Sequence, residues 1–342
     1  MRARPDRTLG ATDMQLTRVG LGSWAMGGPE WVRGWGAQSD QDSIDTVRAA
    51  VDRGINWIDT APAYGRGHAE SVIGRALGSL PADERPYVFT KCGLLFDPDE
   101  PMGEPRRYLD AASIREECDA SLQRLGVERL DLLQFHWPPN DGDPIEECWG
   151  TMQELIDAGK IRAAGVSNFS VQQLEQLRPI GPVASVQPPL SLIRRDAAEE
   201  LLPWCGSNDV GVIVYSPMQS GLLSGRFSRE RVEQLPEDDW RVENKEFKEP
   251  RLSRNLALAD TVKELATVRG VEPSVIAIAA TLSWPAVTGA IVGARRPDQI
   301  DGWIDAASVE LAPAELDQLT QALERTGAGT GPTLLDGSAH SA

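Results

Sequence analysis

Short apolar runs alternate along this chain with segments whose apolar residues recur every three or four positions. The runs have the length of buried strands, and the recurring positions place apolar side chains on one face of a helix. In the segment 41–53, for example, Ile44, Val47 and Ala50 share such a face. The alternation continues through most of the chain, which favours a parallel sheet with helical crossovers.

The pattern predicts eight strand–helix pairs. The predicted strands cover residues 19–21, 56–59, 87–91, 130–135, 161–166, 184–187, 211–215 and 289–292. The predicted helices cover residues 41–53, 69–77, 113–125, 145–158, 171–177, 197–205, a stretch after 254 that stops at Pro285, and 297–307. Ser113 with Glu116 indicates a capping box at the third helix. Eight pairs in series predict a closed (β/α)8 TIM barrel, with an open doubly wound sheet as the alternative.

Two segments fall outside the repeated pattern. Residues 218–254 form a polar stretch far longer than the about 2–6 residues usual for such connections, and stretches of this length are commonly functional. The residues after Thr326 are rich in Gly, Ser and Pro. We therefore expect one barrel domain over 1–325 and a flexible tail over 326–342.

Composition narrows the class of protein. The chain has 342 residues, 41% of them hydrophobic and 25% charged, which suits a globular barrel. A net charge of −17 argues against nucleic acid as a partner, because phosphate binding needs clustered cations. The sequence contains no apolar run of about 18 residues, so we expect no membrane span. No self-association segment stands out, so a monomer is the default expectation.

The cysteines carry information about the compartment. Cys92, Cys118, Cys148 and Cys205 form no CxxC pair and no metal-ligand spacing, so we expect no metal site. Free thiols are typical of a reducing cytosol. The basic N-terminus is followed by no apolar run, so it does not resemble a secretory signal. These features predict a cytoplasmic protein.

Polar residues stand where the predicted strands end, which is where barrels place their active sites. Asp59, Lys91 and His136 each follow an apolar run directly, and Tyr64 lies shortly after Asp59. A single Lys at a strand end is usually just solvated, but three titratable side chains beside a Tyr favour a function. The other strand ends carry Ser23, Trp24, Ser167, Asn168, Gln187, Tyr215 and Gly293, with Arg295 and Arg296 following.

These residue types indicate proton donation to a carbonyl oxygen. A free Tyr titrates near pH ~10, and we expect a nearby Lys91 ammonium to lower the pKa of Tyr64. Asp59 would keep Lys91 charged, and His136 would orient the substrate oxygen. Together they form a general acid. Side chains cannot supply a hydride, so we expect a nicotinamide cofactor.

Four segments, in order, resemble the aldo-keto reductase family: INWIDTAPAYGRGHAESVIGRAL, VFTKCG, LDLLQFHWP and GKIRAAGVSNFS. The resemblance covers roughly residues 10–320. SVQPPLSL, YSPMQSGLLSGRF, DDWRVENKEF and GARRPDQ are most similar to the bacterial NADPH-dependent general-stress members of that family. The resemblance implies reduction of aldehydes or ketones by NADPH, with Asp59, Tyr64, Lys91 and His136 as catalytic residues.

The same resemblance implies the binding residues. Those implied for the nicotinamide end of the cofactor are Ser23, Trp24, Asp59, Ser167, Asn168, Gln187 and Tyr215. Those implied for the pyrophosphate are Ser216, Pro217, Met218, Gln219, Ser220 and Arg226, and Arg241 would help to hold the cofactor. Those implied for the adenosine end are Gly293, Ala294, Arg295 and Gln299. Those for the substrate are Trp24, Tyr64, His136 and Trp137, with Trp31 and Trp35 as lesser candidates. An aromatic pocket of this kind would favour apolar or aromatic aldehydes.

Two departures from the family pattern concern the cofactor. Leu190 and Ser191 stand where many members have Tyr-Asn, and Gly302 and Trp303 replace a Glu-Asn pair. Arg295 and Arg296 still offer two cations for the 2′-phosphate of NADPH. The glycines near the first strand do not form a dinucleotide fingerprint. The cofactor is therefore expected to lie across the barrel mouth, under the 218–254 segment, which we expect to order when it binds.

Two other functions remain open from the sequence. One is a cofactor-binding regulatory subunit resembling the voltage-gated potassium channel β subunits, which share the fold and bind NADPH. The other is a metal-dependent barrel hydrolase. The chain has only three histidines, His68, His136 and His340, which argues against the hydrolase.

Overall fold

The computed structural model describes residues 3–29, 31–100, 102–140, 144–237 and 239–335. The strands are β1 (Pro5–Thr8), β2 (Gln15–Thr17), β3 (Val19–Gly22), β4 (Trp57–Asp59), β5 (Tyr87–Cys92), β6 (Leu94–Leu95), β7 (Arg106–Arg107), β8 (Leu130–Phe135), β9 (Ile161–Ser167), β10 (Ser185–Gln187), β11 (Gly211–Tyr215) and β12 (Val287–Gly293). Eight of them close into a parallel barrel in the order β10-β11-β12-β3-β4-β5-β8-β9. The predicted barrel is confirmed, and the open sheet is wrong.

Helices surround this barrel. They are α1 (Asp40–Asp52), α2 (His68–Gly78), α3 (Ala111–Leu125), α4 (Ile145–Asp157), α5 (Val171–Leu177), α6 (Leu201–Ser207), α7 (Arg229–Glu233), α8 (Arg251–Arg269), α9 (Pro273–Leu282), α10 (Pro297–Asp301) and α11 (Pro313–Thr326). Within the described ranges no single helix is both long and apolar enough to cross a bilayer. The pair α8 and α9 reaches that length and apolarity only when taken together across a bend of 102°.

The barrel interior has its own apolar core, separate from the larger core between strands and helices. A hairpin of β1 and β2, absent from the sequence prediction, closes one end with Leu9, Met14 and Leu16. The indole nitrogen of Trp57 donates to the Thr17 carbonyl at 2.8 Å, which ties this hairpin to the barrel. A Cβ at Gly20 would lie 2.2 Å from the Trp57 ring, so only glycine fits there.

Several predicted boundaries are corrected. The predicted Ser113–Glu116 capping box is wrong, because α3 begins earlier and Asp110 caps it by accepting from the amides of Ala112 and Ser113. The helix predicted over 297–307 divides into α10 and a 3-10 turn, because α10 ends at Gly302. Helix α11 was not predicted. The helix predicted over 197–205 is likewise a 3-10 turn followed by α6.

The long 218–254 segment contains short helices rather than an unstructured loop. They are the 3-10 turns Gln219–Ser224, Trp240–Glu243 and Lys245–Phe247, together with α7. Phe227 and Phe247 are buried in it, with ring centroids 5.5 Å apart. These two aromatic side chains anchor the segment. The sequence pattern did not indicate their burial, because the segment as a whole is polar.

Residues 327–335, expected to belong to a flexible tail, pack against the barrel. The buried Arg195 donates to the Pro332 carbonyl at 2.7 Å and to the carbonyl of Gly331 at 3.3 Å. Ala328 and Leu335 are buried as well. The rest of the predicted tail, residues 336–342 with His340, lies outside the described residues.

Candidate active site

Side chains that point into the barrel change from apolar to polar towards the carboxyl ends of the strands. Successive inward-facing residues of a strand are two apart. On β4 the interior residue Trp57 is followed by Asp59, and on β5 Phe89 is followed by Lys91. On β8 the interior residue Leu132 is followed by Gln134, and His136 comes directly after that strand. The barrel mouth thus receives charged and polar groups from three neighbouring strands.

Lys91 connects the predicted catalytic residues. Its Nζ donates to Asp59 Oδ1 at 2.6 Å, to the Thr60 carbonyl at 3.0 Å and to the Tyr64 hydroxyl at 3.4 Å. The side chains of Lys91 and Asp59 are only 1% and 3% exposed. The ring of His136 meets the Tyr64 ring edge to face, with centroids 5.9 Å apart. The four residues predicted to act together are therefore close together.

Burial dominates the acid–base properties of this group. Burial, followed by the charge of Asp59, raises the pKa of Tyr64 well above its ordinary value. The expectation that Lys91 lowers the pKa of Tyr64 is therefore wrong in this structure, because the loss of solvent around the phenol and the negative charge of Asp59 both raise that pKa. Tyr64 is consequently a protonated phenol at neutral pH, able to donate its proton.

Lys91 and His136 are also shifted by burial. Burial lowers the pKa of Lys91, and the Asp59 carboxylate opposes this shift. Burial and the Lys91 charge lower the pKa of His136 well below its ordinary value. A neutral imidazole has one N–H donor and one acceptor, so His136 can offer a hydrogen bond without adding charge.

The second oxygen of Asp59 is held by an amide that the prediction assigned to the cofactor. Gln187 Nε2 donates to Asp59 Oδ2 at 2.8 Å and to Gln134 Oε1 at 3.3 Å. Gln134 was not predicted. Its sequence signal is a Gln inside the apolar strand LDLLQF, at the same parity as Leu132 and His136.

The residues predicted for the nicotinamide form one hydrogen-bonded row across three strand ends. The Tyr215 hydroxyl donates to Asn168 Oδ1 at 2.8 Å, and Asn168 Nδ2 donates to Ser167 Oγ at 3.0 Å. Ser167 Oγ donates to the Gln187 carbonyl at 2.9 Å. Ser23 is fully buried, and its hydroxyl has no partner among the described residues. The unpartnered Ser23 hydroxyl fits the carboxamide of a nicotinamide, because a buried hydroxyl needs a partner.

The connection after β11 contains three non-glycine residues with a left-handed backbone. They are Ser216, Gln219 and Ser220, with φ values of 59°, 46° and 54°. Strained backbone of this kind clusters at ligand sites, and successive turn N–H groups can receive an anion. Pro217 and Met218 lie between Ser216 and Gln219, so the predicted pyrophosphate residues 216–220 span the irregular backbone that leads into the 3-10 turn Gln219–Ser224.

The two arginines predicted in the long segment differ in their surroundings. Arg226 is exposed. Arg241 forms a two-point ion pair with Asp239, at 2.9 Å and 2.5 Å, and its guanidinium lies over the rings of Trp35 and Phe227. Arg241 therefore fixes the position of the segment itself.

The residues predicted for the adenosine end surround the carboxyl end of β12. Gly293 is exposed and Ala294 is buried. The backbone amide of Arg295 donates to Gln299 Oε1 at 2.7 Å, and its Nε donates to Gln38 Oε1 at 2.8 Å. Burial and the neighbouring charge of Arg296 lower the pKa of Arg295. Two guanidinium groups thus repel each other at this end of the mouth.

The two tryptophans predicted to line the substrate pocket have different aromatic and cationic neighbours. Trp24 lies nearly parallel to Tyr64, at 22° and 6.4 Å between centroids. Trp137 lies beyond His136 in the chain, with the Arg107 guanidinium 4.6 Å from its ring. The prediction missed Trp240, which stacks on Trp24 from the long segment at 5.5 Å. Its position depends on the folding of that segment, for which the sequence pattern gave no signal.

No group of three or more His, Cys, Asp or Glu side chains is arranged to hold a metal ion in the described ranges. The predicted catalytic group consists of the Lys91–Asp59 ion pair, the phenol of Tyr64 and the imidazole of His136.

Comparison with known proteins agrees with this geometry. Residues 18–324 match the model of the Aldo/keto reductase family. The chain is 36% identical to Aldo-keto reductase YhdN of Bacillus subtilis, over 92% of each chain. It is 34% identical to the NADH-specific methylglyoxal reductase of Escherichia coli, over 93% of this chain and 98% of the relative. The glycerol dehydrogenase of Gluconobacter oxydans has a similar structure, with a TM-score of 0.85, 37% identity and coverage of 96% and 97%. The chain belongs to the aldo/keto reductase family.

Proposed function

We propose that this protein reduces aldehydes and ketones to alcohols with NADPH, and that Tyr64 donates the proton. Family membership makes it an oxidoreductase that uses a nicotinamide cofactor and acts on small carbonyl compounds. The observation that carries the proposal is the contact of Tyr64 with Lys91, which is itself held by Asp59.

In this mechanism the side chains bind the carbonyl oxygen and protonate it. A tyrosine is already protonated at neutral pH and burial raises the pKa of Tyr64 further, so its hydroxyl donates a hydrogen bond to the substrate oxygen. The neutral His136 offers a second N–H on the adjacent side. A bound nicotinamide supplies the hydride. As negative charge gathers on the substrate oxygen, the Lys91 ammonium stabilises the phenolate that remains after Tyr64 gives up its proton.

Asp59 and Gln187 position the proton donor. Asp59 opposes the effect of burial on Lys91 and so favours the charged ammonium. Gln187 donates to the other carboxylate oxygen, which fixes the orientation of Asp59. Ser167, Asn168, Gln187 and Tyr215 would hold the nicotinamide, and the unpaired Ser23 hydroxyl would gain a partner there.

The preference for NADPH rests on the arginine pair at the adenosine end. The pKa of Arg295 is lowered by burial and by Arg296, so an anion between the two groups would relieve their repulsion. Arg296 is exposed, and its guanidinium pairs with Asp298 at 3.3 Å. A 2′-phosphate could accept from it. The relative named NADH-specific makes this the point of the proposal that most needs a test.

The cofactor test compares kcat/KM with NADPH and with NADH. We expect the wild type to prefer NADPH by about ten-fold or more, since one charge-assisted hydrogen bond contributes roughly 1.5–3 kcal/mol. Arg296→Gln should lose most of that preference by weakening NADPH alone. Arg251→Gln, which removes an exposed arginine paired with Glu246, is the matched control. Equal use of both cofactors by the wild type would contradict the preference.

The activity test uses a panel of aldehydes and ketones that includes methylglyoxal and an aromatic aldehyde. Consumption of NADPH with a carbonyl substrate supports the proposal. Tight binding of NADPH with no consumption across the panel would instead favour a cofactor-binding regulatory subunit. We further propose that the protein works in the reducing cytosol, because Cys92, Cys118 and Cys205 are buried free thiols.

A further inference from the structure

Four tryptophans and Tyr64 form a connected aromatic wall on one side of the barrel mouth. The wall consists of Trp24, Trp31, Trp35, Tyr64 and Trp240. Trp24 is at its centre, with Tyr64 on it at 22° and Trp240 on it at 24°. Trp35 meets both Trp24 and Trp240 edge to face, at centroid distances of 5.7 Å and 5.4 Å. The proton donor and Trp240 are therefore joined through one shared indole.

Trp240 is the only member of this wall that comes from the long 218–254 segment. Its neighbours in the chain hold it in place. Asp239 and Arg241 pair with each other on either side of it, and Arg241 also lies 5.0 Å over the Trp35 ring. Trp240 is thus presented to the mouth by a fixed backbone, so it can act as a defined surface for a ligand.

The hydrogen bonding of the indole nitrogens differs within the wall, and that of Trp240 is incomplete. The atom is buried and has no hydrogen-bond partner among the described residues. The indole nitrogen of Trp31, in the same wall, is also buried and unpaired within that part of the chain. Buried donors of this kind are normally paired. Trp24, by contrast, donates to the Arg33 carbonyl at 3.0 Å.

We propose that Trp240 determines substrate specificity by forming the outer part of the substrate pocket, and that it selects carbonyl compounds bearing a flat aromatic group. The inference rests on the proposed function, because Tyr64 must hold the carbonyl oxygen at the inner end of the same wall. A flat group attached to that carbonyl can lie against the indoles, whereas a flexible alkyl chain gains less from their faces.

The experiment compares Trp240→Ala and Trp240→Phe with the wild type. Two substrates are used, benzaldehyde and hexanal, which differ in the flat ring. The matched control is Trp204→Ala, which removes a half-buried tryptophan on α6 that contacts Glu175 and Arg178. The dissociation constant of NADPH is measured for every variant by fluorescence.

We expect Trp240→Ala to lower kcat/KM for benzaldehyde about ten-fold and to change that for hexanal less than about three-fold. Trp240→Phe should retain most of the benzaldehyde activity, because a ring remains. Trp204→Ala should affect the two substrates equally, and NADPH binding should be unchanged in all variants.

Two results would overturn the proposal while leaving the proposed function intact. One is an equal loss for both aldehydes in Trp240→Ala. The other is weaker NADPH binding in that variant, which would assign the indole to the cofactor. Failure of the wild type to reduce either aldehyde is a different outcome. It would count against the proposed function itself, and the specificity role would fall with it.

Discussion

Lys91 Nζ lies 2.6 Å from Asp59 Oδ1, and both side chains are almost completely buried. A pair in such surroundings loses much solvation, so each charge depends on the other. Lys91 also contacts the Tyr64 hydroxyl at 3.4 Å. The ion pair therefore links the stability of the barrel mouth to the chemistry that we propose for Tyr64.

Asp59→Asn is expected to lower both stability and activity. Removing one partner of a buried pair costs about 3–5 kcal/mol in the free energy of unfolding. The loss of a charged Lys91 beside Tyr64 should reduce kcat/KM by at least about 100-fold. Urea unfolding and steady-state rates provide the two measurements. Asp119→Asn is the control, because Asp119 pairs with Lys160 at the exposed surface, where about 0–1 kcal/mol is expected. Similar losses in both variants would contradict this account.

The low pKa of His136 predicts a pH dependence of stability. Burial and Lys91 lower this pKa, so the folded state keeps His136 neutral while the unfolded chain binds a proton below about pH 6.5. The contribution of neutral His136 to the free energy of unfolding is therefore complete above about pH 6.5 and is lost as the pH falls below that value. His136→Gln should show a smaller loss of stability than the wild type between about pH 7.5 and about pH 5. An equal pH dependence of stability in His136→Gln and the wild type would contradict this prediction.

For Glu117 we predict a dependence of stability on pH that is opposite in sign to that for His136. Burial raises the pKa of this carboxyl group to about 7, although it accepts hydrogen bonds from Gly93 and Ser113. The unfolded chain releases the proton near the ordinary pKa of 4.5, so stability falls as the pH rises from about 4.5 to about 7 and stays lower above it. Glu117→Gln removes this loss.

The measurement is the free energy of unfolding at about pH 5 and about pH 8, where Glu117→Gln should gain roughly 1–3 kcal/mol on the wild type. The exposed neighbour Glu116 provides the control variant Glu116→Gln, for which no such gain is expected. A difference between Glu117→Gln and the wild type that does not change with pH would contradict the prediction.

The barrel and the close approach of Asp59, Lys91 and His136 could be predicted from the sequence, and the reason is physical. Strands impose a period of two, and parallel strands end at one rim, so Asp59, Lys91 and His136 had to converge once the strands were recognised. Gln134 follows the same rule and was overlooked only because it lies inside an apolar strand.

Other features depend on contacts between distant parts of the chain. The position of Trp240 depends on Arg241 reaching Trp35, about 200 residues earlier in the sequence. The carbonyl groups of the C-terminal segment are held by the buried Arg195, which composition alone does not indicate. The pKa of Tyr64 is raised mainly by the burial of its phenol, which is known only once the chain is folded. The sequence gives only the neighbouring charges.

Replacing Tyr64 with Phe tests the central claim most directly. Rates of NADPH consumption with an aromatic aldehyde are compared for the wild type and Tyr64→Phe, after equal folding and equal NADPH binding have been established. Because general acid catalysis contributes roughly 10²–10⁴-fold, the variant should retain less than about 1% of the wild-type kcat. A variant that binds NADPH and reduces the aldehyde within about three-fold of the wild-type rate would contradict the assignment of Tyr64 as the proton donor.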